Sequence, residues 1–349
     1  MGSGTWSSGI YTAVASAKAA AGKSTFDYDF DIKRGHTATK VHKSLDPSKL
    51  NTVGKKVREA FDSDEHPNST PIAVFFDVTG SMGHIPSVLM KKLPQLHNVL
   101  QRKGYVEDPQ ILFGAIGDAY SDRVPLQIGQ FESDNRMDDQ LSSFYLEGGG
   151  GGGNHESYQL AAYFMARYAK LDSLTKRGKK GYLFIIGDER VYAQIDRRQV
   201  EQLIGDKLEE NLSTADIFKE LQAKFEVFFL FAAQGSYAPD GVLFESTGGG
   251  YYGYSDNRSS VCYWRDLLGQ NALILEDAEA VCETIALTLG LMEGTVDLSE
   301  GLDDLIEAGS SKKAVKAAGK ALAKVGTTAT IANVDGDLTF DEDDSTVTF

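Results

Sequence analysis

Five unbroken apolar runs of strand length, at residues 72–76, 111–116, 182–186, 227–233 and 272–275, constrain this chain more than any other feature. A strand with one face in water alternates apolar and polar residues. An unbroken run needs cover on both faces, the condition of a parallel sheet whose crossover helices lie on either side. The gaps between the runs carry helical spacing: Leu89, Leu93, Leu96 and Leu100; Leu160, Phe164 and Tyr168; Val200, Leu203, Ile204 and Leu208; Ile217, Leu221 and Phe225; Val281, Ile285 and Leu289. Pro94 falls inside the first of these and is expected to kink it. Strands alternating with helices predict an α/β fold: a doubly wound, mostly parallel sheet with helices on both faces. Ligands then bind outside the carboxyl ends of the strands.

All five runs fall within residues 71–295, which are read as the folded α/β domain. Residues 1–70, without long apolar runs, are read as an N-terminal arm and linker, 296–330 as a Lys/Ala-rich helical segment, and 331–349 as an acidic tail. The formal charge of −15 and the confinement of basic density to five lysines in 312–324 speak against duplex nucleic acid as a partner, because binding it requires a positive footprint. The apolar runs are far shorter than the roughly 20 residues that cross a bilayer as a helix. The first residues lack the basic start and apolar core of a signal peptide, and Trp6 stands where a myristoylation signal carries Ser or Thr, so a cytoplasmic protein is expected. Two cysteines, Cys262 and Cys282, make neither a zinc site nor a disulfide framework and are expected to be reduced and packed.

The first run leads straight into Asp77-Val78-Thr79-Gly80-Ser81-Met82-Gly83, one carboxylate and two hydroxyls on a tight loop at the carboxyl edge. A hard cation suits that set: magnesium takes near-octahedral oxygen ligands and keeps several waters. The third run also ends in an acid, Gly187-Asp188-Glu189, and Asp188 can face the same site if the two strands are neighbours. Between them lies an unbroken glycine run, 148–153, followed by Asn154, His155, Glu156 and Ser157 just before a helical pattern.

Asp-x-Thr-Gly-Ser-Met after an apolar strand, a Gly-rich loop before a helix, and Gly-Asp after another strand resemble the three segments of the metal-ion-dependent adhesion site (MIDAS) of von Willebrand factor A (VWA) domains, closest to their intracellular bacterial and phage branch. The resemblance covers roughly residues 70–295 and implies a Rossmann-like fold. It also implies a magnesium ion, with manganese or calcium as substitutes, and a protein partner engaged through that ion without catalysis. Thr79 and Ser81 would bind the ion directly, and Asp77 and Asp188 through water or hydrogen bonds. The second segment departs from the family pattern: no threonine follows the glycines, so Asn154, Glu156 or Ser157 would serve. A directly bound Glu156, as a third carboxylate, would weaken the ion's pull on an acidic group of a partner. Related bacterial proteins work with AAA+ ATPases, which makes such an ATPase or an assembly component the implied partner. The chain itself has no Walker-type loop.

Other readings remain at this stage. Asp77 can serve as a helix N-cap. Its loop also resembles that of haloacid dehalogenase-type phosphotransferases, with Asp77 as nucleophile, although Thr79 replaces their second acid and the lysines that precede Gly187-Asp188, Lys179 and Lys180, lie before that strand, on the wrong edge. A structural component of an assembly is a third reading. Asp118 and Asp122 lie in the loop after the second run, where Asp122 is expected to be solvated. His84 and His155 are expected to be surface or packed residues, and 247–252 an exposed aromatic loop.

Overall fold

The computed structural model describes residues 4–22, 26–49, 56–150, 153–236 and 260–323. The aromatic stretch 247–252 and the acidic tail lie outside them. Each of the five apolar runs forms a strand: β1 (Thr70–Asp77), β2 (Pro109–Ile116), β4 (Gly181–Gly187), β5 (Phe225–Ala232) and β6 (Ala272–Leu275). A sixth strand not evident from the runs, β3 (Leu126–Ile128), closes one edge. The order across the sheet is β6-β5-β4-β1-β2-β3, with every pairing parallel except that of β2 with β3. Residues 117–125, which join that pair, are fewer than the dozen or so that a parallel crossover requires, so the chain turns back on itself.

Alternate residues of each strand serve opposite cores. On one face Ile72, Val74 and Phe76 pack with Leu89, Leu96 and Leu100 and with Val281, Ile285 and Leu289. On the other, Ala73 and Phe75 pack with Leu160, Phe164, Ile217, Leu221 and Trp264. The helices behind these contacts are Ile85–Lys92, Leu96–Lys103 and Val281–Glu293 on the first face, and Tyr158–Tyr168, Thr214–Gln222 and Ser260–Leu268 on the second. Pro94 does more than kink its helix: a 3-10 turn, Leu93–Gln95, separates two helices there. Leu208 falls past the end of the helix Arg197–Leu203, and Phe225 opens β5 rather than closing a helix.

The N-terminal residues pack against this domain. Trp6 is buried, and its Nε1–H lies 3.0 Å from Asp138 Oδ1. The buried Arg58 donates to the Ile128 carbonyl of edge strand β3 at 3.2 Å and lies over the Phe164 ring, 5.1 Å from its centroid, a cation–π contact. Beyond the sheet, helices Leu298–Glu307 and Lys312–Leu322 extend the first core through Leu302, Leu305 and Val315. Cys282 is buried and Cys262 half-buried. Among the described residues no helix is long and apolar enough to cross a membrane.

Candidate metal centre

The strand order reverses at β1. From it the chain builds outward through β2 on one side and returns to β4 on the other, which makes the β1/β4 crevice the topological switch point where open α/β sheets bind ligands. Phe76 pairs with Ile186, so Asp77, the last residue of β1, and Asp188, just past β4, leave adjacent strands at one edge. Both are fully buried.

A chain of hydrogen bonds runs between them. Asp77 Oδ1 accepts the Thr79 N–H at 2.8 Å and the Thr79 hydroxyl at 2.6 Å, and the Ser81 hydroxyl donates to Asp188 Oδ1 at 2.8 Å. The Thr79 and Ser81 oxygens stand 3.2 Å apart. A hydroxyl has one proton, and with both protons given to carboxylates the two oxygens turn lone pairs toward each other. Neighbouring octahedral ligands lie roughly 2.9 Å apart around magnesium and roughly 3.3–3.7 Å apart around calcium, from bond lengths of about 2.0–2.1 and 2.3–2.6 Å. The observed spacing falls between.

Tyr158, the first residue of its helix, donates its buried hydroxyl to Asp77 Oδ2 at 2.6 Å, so both oxygens of Asp77 are engaged. The ring lies so close to β4 that a Cβ on Gly187 would stand 2.2 Å from its hydroxyl oxygen, which only glycine avoids. Sequence reading missed Tyr158, because the only signal was a tyrosine opening a helix.

Charge accumulates around this chain. Complete burial pushes the Asp77 carboxyl up, with the Asp188 charge adding to the effect and bonds from Thr79 and Tyr158 opposing it. Burial also pushes Glu189 up to about 8, helped by Asp77 and Asp188. Glu156 is raised first by burial, and the charges that act on it most are all carboxylates: Asp77, Glu189, Asp118 and Asp122. Glu156 Oε2 and Glu189 Oε2 are buried without a hydrogen-bond partner. Among the described residues no group of three or more His, Cys, Asp or Glu side chains is disposed to hold a metal ion, so an ion here depends on the hydroxyls.

The remaining candidates fall around this core. Glu156 is buried and paired in register with Val191, while Asn154 is exposed and its carbonyl accepts the Arg190 N–H at 3.2 Å. The Ser157 hydroxyl accepts the Ala119 N–H at 2.8 Å. The start of the glycine run docks on the Asp77 loop: Gly80 N–H donates to the Gly149 carbonyl, and Gly148 N–H to that of Val78. Asp118 flanks the site, buried, with its Oδ1 accepting from the Tyr120 N–H at 3.1 Å and the Tyr192 hydroxyl at 3.2 Å. Asp122 is not solvated as expected: it is half-buried under Gly149, accepts the Asp118 N–H at 2.8 Å, and is pushed up to about 6 by burial. His84 is exposed, and His155 stacks on Tyr192. Glu189 was legible as a second acid at the end of β4 but was not singled out.

No protein-family profile matches the chain, and no curated protein matches it in sequence. Among solved structures, it is similar to the pilus adhesin SpaC of Lactobacillus rhamnosus GG, with 10% identity and a TM-score of 0.42 over 66% of this chain. That match spans only 31% of the adhesin. It is also similar to the conserved hypothetical protein BatB of Bacteroides thetaiotaomicron, with 12% identity and a TM-score of 0.36, over 65% of this chain and 100% of BatB. The N-terminal domains of the pilus tip protein Mfa5 of Porphyromonas gingivalis give 14% identity and a TM-score of 0.24, over 36% of this chain and 24% of that one.

Proposed function

We propose that this chain is a VWA-type module that holds a magnesium-type ion at the β1/β4 edge and engages a protein partner there, without catalysing a reaction. The observation that carries the reading is the pair of hydroxyl oxygens of Thr79 and Ser81, 3.2 Å apart with both protons directed at carboxylates. Such an arrangement leaves lone pairs facing one point in a field of buried acids, and a hard divalent cation relieves the resulting repulsion. Thr79 and Ser81 would be direct ligands, Asp77 and Asp188 would orient them and hold waters, and Glu156 would supply further negative charge. Zinc is the poorer fit, since no thiolate takes part and the nearest histidine loops are aromatic-stacked or exposed.

The geometry also bears on the phosphotransferase alternative. A covalent nucleophile needs an unencumbered oxygen aimed at phosphorus, and Asp77 has Oδ1 bound by Thr79 and Oδ2 by Tyr158. That favours a binding role for Asp77. The partner we assign is a protein, an AAA+ ATPase or a component of an assembly. Affinity capture from native cell extract tests the reading. A partner retained in magnesium and released by chelator supports it, and a capture indifferent to chelator counts against it.

A further inference from the structure

Three aromatic rings line one lip of the site. Tyr120, in the loop after β2, is 60% exposed, and its ring centroid lies 4.8 Å from that of Tyr192. Tyr192 in turn stacks on His155 at 5.3 Å and 26°. The lip is fixed to the acids beneath it: Tyr192 donates its hydroxyl to Asp118, and His155 precedes Glu156 on a short strand paired with Arg190–Val191. Glu156 is buried with Oε2 lacking a hydrogen-bond partner.

We infer that this lip takes an arginine side chain of the protein partner, its guanidinium seated on the exposed Tyr120 ring beside the carboxylates. The inference rests on the reading of this edge as a protein-binding site and names the chemistry of the partner.

Charge complementarity decides for a cation over an acid. A divalent ion brings two positive charges and the buried Arg190 a third, and even with Glu156 and Glu189 neutral, the four carboxylates of Asp77, Asp118, Asp122 and Asp188 exceed them. A partner carboxylate approaching the loaded ion therefore meets a site that is still negative. A guanidinium is attracted by the same field, and its flat, weakly hydrated face suits a tyrosine ring. The bases nearby do not pre-empt this. Arg190 is only 7% exposed, and Arg198 is committed to Asp196 through bonds of 3.2 and 2.8 Å.

The test titrates two capped tripeptides, acetyl-Gly-Arg-Gly-amide and its glutamate counterpart, into the full 15N-labelled chain, in magnesium and in chelator. The arginine peptide is expected to shift the amides of 119–121 and 190–193 saturably in both buffers. Tyr120→Ser is expected to weaken it by about three- to fivefold and Tyr120→Phe to restore it, because the ring face, not the hydroxyl, makes the contact. Thr79→Ala should leave arginine binding in place even where it abolishes the magnesium response, which separates this inference from the ion reading. Binding of the glutamate peptide in magnesium alone would overturn it while upholding the ion. Absence of arginine shifts in both buffers, or equal affinity for Tyr120→Ser, would also overturn it.

Discussion

Ser81 Oγ donates to Asp188 Oδ1 at 2.8 Å across 107 residues of sequence, tying the loop after β1 to the end of β4. Together with the Thr79–Asp77 bond it commits both hydroxyl protons to carboxylates, the arrangement on which the proposed ion site rests. Removing either hydroxyl removes a proposed ligand. Thr79→Ala and Ser81→Ala are each expected to cost about 1.5–3 kcal/mol of stability in chelator, the usual worth of a hydrogen bond to a charged group. They should weaken magnesium affinity by at least about tenfold, as read by calorimetry; Asp77→Asn should weaken it about 10- to 100-fold by removing the carboxylate charge and setting an NH2 against the Tyr158 hydroxyl.

The ion-free protein should lose stability as pH rises. Glu189 is held protonated in the fold up to about 8, whereas unfolded it ionises at the ordinary carboxyl value, so across that window the folded state binds more protons than the unfolded one. Stability therefore falls as pH climbs from about 5 to about 8, and Asp77, shifted in the same direction, adds to the slope. A bound divalent ion replaces those protons. The magnesium-induced rise in melting temperature is accordingly expected to be larger at pH 8 than at pH 6, and scanning calorimetry at both values checks it. An increment that shrinks with pH would contradict the coupling.

Gly187→Ala should injure the fold and the site together. The added methyl would lie 2.2 Å from the Tyr158 hydroxyl oxygen and 2.8 Å from ring carbon Cζ, so the tyrosine must move off Asp77. Denaturant titration is expected to show a loss of about 1–3 kcal/mol, the usual cost of overpacking. Gly235→Ala, whose methyl would meet Asp188 Oδ2 at 2.3 Å, should lower ion affinity with a smaller effect on stability, because it lies in a loop rather than a central strand.

Trp264 links the second core to the site from below. Its indole stacks on Phe229 at 3.9 Å, meets the edge of Tyr158, and donates to the Glu189 carbonyl at 2.8 Å. Trp264→Phe is expected to cost about 1–3 kcal/mol through lost volume and the unpaired carbonyl, and to weaken ion binding by loosening Glu189 and Tyr158. A variant with wild-type ion affinity and lowered stability would show that the indole supports the core alone.

Much of this arrangement was legible in the sequence because burial on both faces leaves an unbroken apolar signature, as in 72–76 and 182–186. Strand β3 left no such mark, being three residues long and set by the turn after β2. That Asp77 and Asp188 meet required the strand order, and the two strand-end acids were suggestive only because parallel neighbours finish at one edge. Tyr158 was hidden because its partner lies 81 residues away. Asp122 was misread as solvated because composition does not reveal that Gly149 folds over it; a Cβ there would stand 2.3 Å from its Oδ1.

Titration of magnesium, then manganese, into chelator-stripped wild-type protein and the Ser81→Ala variant by isothermal calorimetry tests the central claim most directly. The account predicts saturable binding of one ion by the wild type, with a parallel rise in melting temperature, and in the variant an affinity lower by at least about tenfold with a smaller rise. No heat and no thermal shift with either ion in a folded wild-type protein, or identical binding by Ser81→Ala, would contradict it.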